Sequence, residues 1–400
     1  MTTKKELGLV LLAFALVAAL SFVFQKPLTY HEGQGWDGVS YYQLAQQLSQ
    51  HQKPSTIGPF AFRLGTPWLV ALLFPQDLLL GFRMVNQAAC ILATVLLVFW
   101  LRRFVKHPWI RLALVIAFLT QWHAPLRFTA HYAAYTDPWL FVFLLAVLLA
   151  LPSTPPAYPT SGAPATRVPS GRPSVSAFRG RRGGGIEGVL LCFLGALFRE
   201  SVLVVPLAAF LASRGKAWLP LAAGALGVGL THFLAHQSDG YSFARTVGQW
   251  AYNKPLPVYV HGLFIAFGPA LVLSLVFWRT ALAWLKEQPT LAWTLVGFLI
   301  LGWVGGSDTE RIVYWAMPVV YPLLGVILER HSLPRGFLIA LIVVQLLSHR
   351  IFWTLPDYPG PYPDLWSYQA RRVVQVTGLA VHLTATALLA YWLQRTRRSE

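Results

Sequence analysis

In the stretch HEGQGWDGVSYYQLAQQLSQ, residues 31–50, the acid Asp37 stands among Trp36 and two glycines, Gly35 and Gly38, just after an apolar run. An aspartate held at a water boundary accepts a proton from an attacking hydroxyl, and a nearby helix start favours its ionised form. The flanking Gly35 and Gly38 would let backbone approach a substrate closely. The competing reading is an N-cap, a position at which Asp is preferred. Behind it Val39, Tyr41, Tyr42, Leu44, Ala45 and Leu48 recur at helical spacing, and Gln43, Gln46 and Gln47 make a polar side. The spacing predicts a short helix lying along a surface with Asp37 at its head.

The elements that carry this loop belong to a membrane. Of the 400 residues 56% are hydrophobic and 12% charged, a balance suited to lipid as solvent. Apolar segments at about 7–24, 78–101, 110–122, 138–151, 186–198, 201–212, 217–236, 259–278, 290–305, 311–328, 336–352 and 373–393 predict an all-α bundle of about twelve membrane helices or half-helices. The first run is long for a signal peptide and has no small-residue cleavage site, so it reads as a retained span. On this placement both termini are cytoplasmic and 20 of the 32 basic residues face inward, so the net charge of +17 reflects topology rather than nucleic-acid binding. The carboxylates gather on the other face. Tryptophans 100, 109, 122, 139, 218, 278, 353 and 392 fall near segment ends, as an aromatic belt does. Cys90 and Cys192 lie far apart inside apolar runs and read as packing residues.

Residues 152–185, rich in Pro, Gly, Ser and Arg, read as a disordered basic cytoplasmic linker. It divides an N-terminal module, 1–151, with its outer loop 25–77, from a C-terminal module, 186–400. Residues 60–74 hold Gly65 and Pro67 and are too short to span, which predicts an interfacial helix. The two short segments 186–198 and 201–212 meet at Arg199-Glu200, a polar spot between abbreviated helices. The halves show no sequence repeat, which weighs against an inverted-repeat transporter.

An apolar first helix, then Gly-Trp-Asp-Gly-x-x-Tyr-Tyr at 35–42 and Pro-Phe-Ala-Phe-Arg-Leu at 59–64, resembles the start of GT-C superfamily membrane glycosyltransferases, and LFRES (197–201) and GGSDTERIVYWAMP (305–318) look like motifs of bacterial proteins of this group, mannosyltransferases among them. The resemblance implies a GT-C-like fold in a bacterial inner membrane and an extracytoplasmic active site. It also implies a polyprenyl-phosphate-linked sugar as donor, with Asp37 as the catalytic base. Phosphate is a good leaving group, so one base suffices where glycosidases need two acids. Arginine suits the departing phosphate because it stays charged and binds with two parallel hydrogen bonds. Outward candidates are Arg63, Arg127, Arg199, Arg245 and Arg311, with Arg63, Arg199 and Arg311 the expected phosphate ligands.

Sugar or acceptor contacts are expected from Trp36, Tyr41, Tyr42, His131, Asp137, Glu200, Asp308 and Glu310. Each has a structural alternative. Arg199 and Glu200, adjacent and unable to face each other, would need separate partners if they merely tied half-helices to a neighbour. Asp308-Thr-Glu-Arg311 fits i to i+3 pairing in a capped loop. Asp137-Pro138 is an ordinary helix start. His131 alone is more often a packing residue. Asp37, Asp137, Glu200 and Asp308 have the oxygens for one divalent cation, but their separation carries no coordination signature, so metal is unassigned. Walker and Rossmann fingerprints are absent, which favours a lipid-borne donor over a sugar nucleotide. The expected activity is inverting transfer to a glycan, lipid or protein hydroxyl. The alternative is a secondary transporter or lipid flippase with Arg199, Glu200 and Asp308 as buried coupling charges.

Overall fold

The structure, a computed structural model, describes residues 2–121, 123–151 and 185–331, with scattered positions between 333 and 392. Apart from Gly185 the linker lies outside the described residues, as do most of the expected span 336–352 and part of that at 373–393.

The described residues are mostly helical. α1 (Thr3–Phe24) leads to α2 (Gly38–Ser49), α3 (Gly65–Leu73) and α4 (Leu78–Leu101). Next come α5 (Pro108–Thr120), α6 (Pro125–His131) and α7 (Asp137–Ala150). After the linker follow α8 (Ile186–Phe198), α9 (Val204–Ala212), α10 (Trp218–Leu234), α11 (Phe243–Asn253), α12 (Leu256–Phe267) and α13 (Pro269–Val276). α14 (Trp278–Glu287), α15 (Pro289–Val304), α16 (Thr309–Tyr314) and α17 (Met317–Arg330) complete the described helices. The one sheet among the described residues pairs β1 (Ser55–Thr56) in parallel with β2 (His236–Gln237).

Among the described residues two helices, α1 and α4, are long and apolar enough to cross a membrane. α1 turns Leu11, Leu12, Leu16, Leu20, Val23 and Phe24 outward, an apolar surface that lipid would cover and water would not. α4 begins where the Asp77 carboxylate accepts the Leu80 N–H at 3.0 Å. The expected span 259–278 is broken: α12 and α13 meet at 105° because Gly268 takes φ 53° and Pro269 cannot extend the helix before it. The expected span 311–328 is likewise split into α16 and α17, with Pro318 near the start of the second. α7, α8, α10 and α15 are apolar but shorter than a full crossing. α11 and α14 were not expected; both are amphipathic, and an apolar-run search passes over their mixture of polar and apolar residues.

One apolar core joins α1, α4, α5, α7 and α17, and a second packs α2 and α3 onto the start of α4 and residues 132–135. Trp100 belongs to the first core rather than to a belt: it is fully buried and its Nε1 donates to Pro318 O at 2.6 Å. Trp109, Trp218 and Trp278 are exposed, as belt residues are. Cys90 and Cys192 are buried and unpaired.

Charges collect at two poles. At the first, Glu6 of α1 is buried and accepts from Arg111 at 2.6 and 2.7 Å and from Arg102 at 2.7 and 3.1 Å. Arg111 also donates to Val105 O and Lys106 O, so the knot ties the start of α1 to the turn between α4 and α5. Asp37 and its partners form the second pole. Glu6→Gln, which strands two arginines, should lower stability by about 3 kcal/mol and depress the unfolding temperature in detergent, while Glu187→Gln at an exposed position should not; equal melting of the two variants would show that the knot holds nothing.

Candidate functional site

Asp37 sits where the loop after α1 turns into α2. Its carboxylate caps nothing: the residue is in helical conformation (φ −64°, ψ −23°) and makes no side-chain cap hydrogen bond. The N-cap reading therefore fails. The two glycines beside it serve packing rather than substrate approach. A Cβ on Gly38 would meet Tyr132 Cε2 at 2.7 Å and Ala134 Cβ at 2.8 Å, and Gly35 is pressed between Tyr132 and Leu28. The Gly38 N–H donates to the Tyr132 hydroxyl. Asn86, inside α4, fixes that wall by donating to Ala133 O at 3.0 Å and Tyr135 O at 2.5 Å.

Around Asp37 the expected charges converge from four chain segments. Arg311 Nη2 lies 3.7 Å from Asp37 and 3.1 Å from Asp308, and its Nε lies 3.9 Å from Asp137. Arg199 is ion-paired with Asp137 and donates to Thr136 Oγ1 at 3.3 Å. Arg63 makes a two-point pair with Glu200, 2.5 and 3.1 Å, and donates to Tyr41 Oη at 2.9 Å. Arg199 and Glu200 do take separate partners, because Arg199 is extended (φ −163°) at the break between α8 and a 3-10 turn, Glu200–Leu203, that leads into α9.

The members differ in access. Asp137 is fully buried and also accepts from Tyr135 at 2.6 Å and Trp315 at 3.1 Å, which makes it an anchor for two arginines instead of a sugar contact. Its helix is capped at Thr136, not by Asp137. Asp37 and Asp308 each leave about a third of the side chain open, 33% and 34%. Arg199 Nε and Arg311 Nε are buried with no hydrogen bond among the described residues. Loss of water pushes the Asp37 carboxyl above the usual carboxylate range; Arg311 pulls it down and Asp308 pushes it up again.

Several expected contacts lie elsewhere. His131 is buried, with Nδ1 beside Gln25 Nε2 (3.1 Å) and Lys26 O (3.0 Å), packing under Trp36. Glu310 is fully buried, and its charge acts on Lys254. Tyr41 is buried behind Arg63, and half-buried Trp36 stands edge-on to Tyr132 at 5.5 Å. Tyr42 is half-buried against the second core. Arg127 is buried, donating to Thr120 O, and Arg245 is exposed on α11. Among the described residues no group of three or more His, Cys, Asp or Glu is placed to hold a metal ion. Tyr132, Tyr135, Trp315, Asn86 and Lys254 are contributors that residue types alone did not single out; of these Asn86, a lone amide in an apolar span, carried the clearest signal.

No family model matches the chain, and no curated protein or solved structure does.

Gly38→Ala should cost about 1–3 kcal/mol through the Tyr132 and Ala134 contacts, whereas Gly248→Ala, with open space around its Cβ, should be neutral or stabilising; thermal unfolding in detergent compares the two.

Proposed function

We propose that this chain is a GT-C-like membrane glycosyltransferase that moves a sugar from a polyprenyl-phosphate carrier to a hydroxyl of a glycan, lipid or protein, with inversion, on the extracytoplasmic face of a bacterial inner membrane, both termini being cytoplasmic. One observation supports it most: Asp37, partly open and capping nothing, stands 3.7 Å from an arginine whose Nε has no hydrogen bond among the described residues. In the proposed reaction Asp37 takes the proton of the acceptor hydroxyl while the acceptor's oxygen bonds to the anomeric carbon. The bond from that carbon to the phosphate oxygen breaks with its electron pair, and Arg311 receives the departing phosphate. Arg63 and Arg199, each already bound to a carboxylate, hold Glu200 and Asp137 in place around it.

Asp37→Asn, assayed in membranes with labelled prenyl-phosphate sugars, should lose transfer by about 10²-fold or more while the protein still accumulates. Undiminished transfer would remove Asp37 from the chemistry. Arg311→Lys keeps the charge but loses the fork and should weaken donor use.

A base works only when ionised, so transfer should fall as pH drops through the Asp37 pKa. Burial places that acid limb above the ordinary carboxylate range. Arg311 opposes the shift, so Arg311→Gln should move the limb higher still. A limb at the usual carboxylate pH in both proteins would assign it to another group.

The fully enclosed Arg199–Asp137 pair favours a second reading, a transporter with coupled intramembrane charges. Ion-driven uptake into proteoliposomes without a covalent product would support that instead.

A further inference from the structure

Lys254 is the one lysine among the described residues that is buried, and nothing in the reaction above uses it. An ammonium leaves water at little cost only where its hydrogen bonds are replaced. Its Nζ donates to Gly302 O at 2.7 Å, Gly306 O at 2.6 Å and Thr309 Oγ1 at 2.9 Å, three acceptors for three N–H bonds. It also lies 5.3 Å from the centre of the Trp250 ring. The three acceptors belong to different pieces of one connection: the last turn of α15, where the helix dipole is negative, the glycine loop, and the first residue of α16. The Gly305-Gly306 link has little stiffness of its own. Gly306 takes φ 143° and has open space where a Cβ would be. Asp308 lies inside the tethered segment and Arg311 two residues beyond Thr309, so the angle of α16 sets the distance between Arg311 and Asp37.

We propose that Lys254 is a positioning residue: by pinning the connection between α15 and α16 it holds Arg311 opposite Asp37. Its catalytic meaning rests on the glycosyltransferase reading; its structural effect does not. Burial pushes the Lys254 ammonium down to about 8, against the pull of Glu310 and Asp308, so it is largely charged at neutral pH and the tether is intact there. The charged groups that act on Asp37 are Arg311, Asp308, Arg63 and Arg199, and of these only Arg311 and Asp308 lie on the tethered connection.

The test is the titration of Asp37 in the full-length protein in detergent, read as pH-dependent labelling of its carboxyl by a carboxyl-reactive diazo reagent and peptide mass spectrometry. Lys254→Met should raise the Asp37 midpoint by about half to one pH unit, because Arg311 drifts away. Arg311→Gln should raise it similarly, and the double variant should go no further than Arg311→Gln alone. An unchanged midpoint in Lys254→Met, or a shift that adds to that of Arg311→Gln, overturns the proposal; the second result would mean a direct charge effect of the lysine. Where Lys254→Met fails to fold, Thr309→Val, which removes one of the three bonds, should give a smaller shift in the same direction, and no shift overturns it. A shifted midpoint in a protein that transfers no sugar would sink the enzymatic reading and leave the role of Lys254 standing.

Discussion

A guanidinium taken out of water needs its charge and hydrogen bonds met, and at the Asp37 pole every carboxylate that meets one, apart from the neighbouring Asp308, comes from a distant part of the chain. Arg63 finds Glu200, Arg199 finds Asp137, and Arg311 reaches both Asp37 and Asp137. Apolar helix packing is strong but nearly non-directional, and many rotations of α7 or α8 would bury similar area. Far fewer would bring Asp137 to Arg199. The ion pairs therefore set how the helix ends meet, and a helix that loses its partner leaves an uncompensated charge behind.

Within this cluster structure and chemistry are divided among neighbours. The Arg63–Glu200 and Arg199–Asp137 pairs are closed and account for the bland readings of those residues. Arg311 is spread over three carboxylates at 3.1 to 3.9 Å, close to each and committed to none. Its i to i+3 partner Asp308 shows that a local ion pair and a shared one coexist on a single side chain. A charge held so loosely is cheaper to redirect toward an incoming anion than one held by a two-point fork.

Much of this was legible in the sequence. α4 spans the residues its apolar run predicted, because a polar cap at Asp77 and basic residues after Leu101 bound it sharply. The charged members of the site were legible too, since charge beside apolar runs is costly and seldom idle. What the sequence concealed was tertiary. Gly35 and Gly38 look the same whether they admit a substrate or a tyrosine ring, and only the position of Tyr132 decides. Glu310, one residue from Arg311, points into a different environment because the short α16 turns successive side chains apart. The break at Gly268-Pro269 was written in plain residues, yet an average over an apolar window erases it.

The two-residue pairing of β1 with β2 has a consequence for the order in which the molecule is built. His236 N binds Pro54 O at 2.8 Å, Ser238 N binds Thr56 O at 2.9 Å, and Asp239 accepts from Gly58 N at 2.8 Å. The connection that follows α2 is thus completed by chain synthesised some 180 residues later. During synthesis the early helices must wait with β1 unpaired until α10 and the strand after it have emerged.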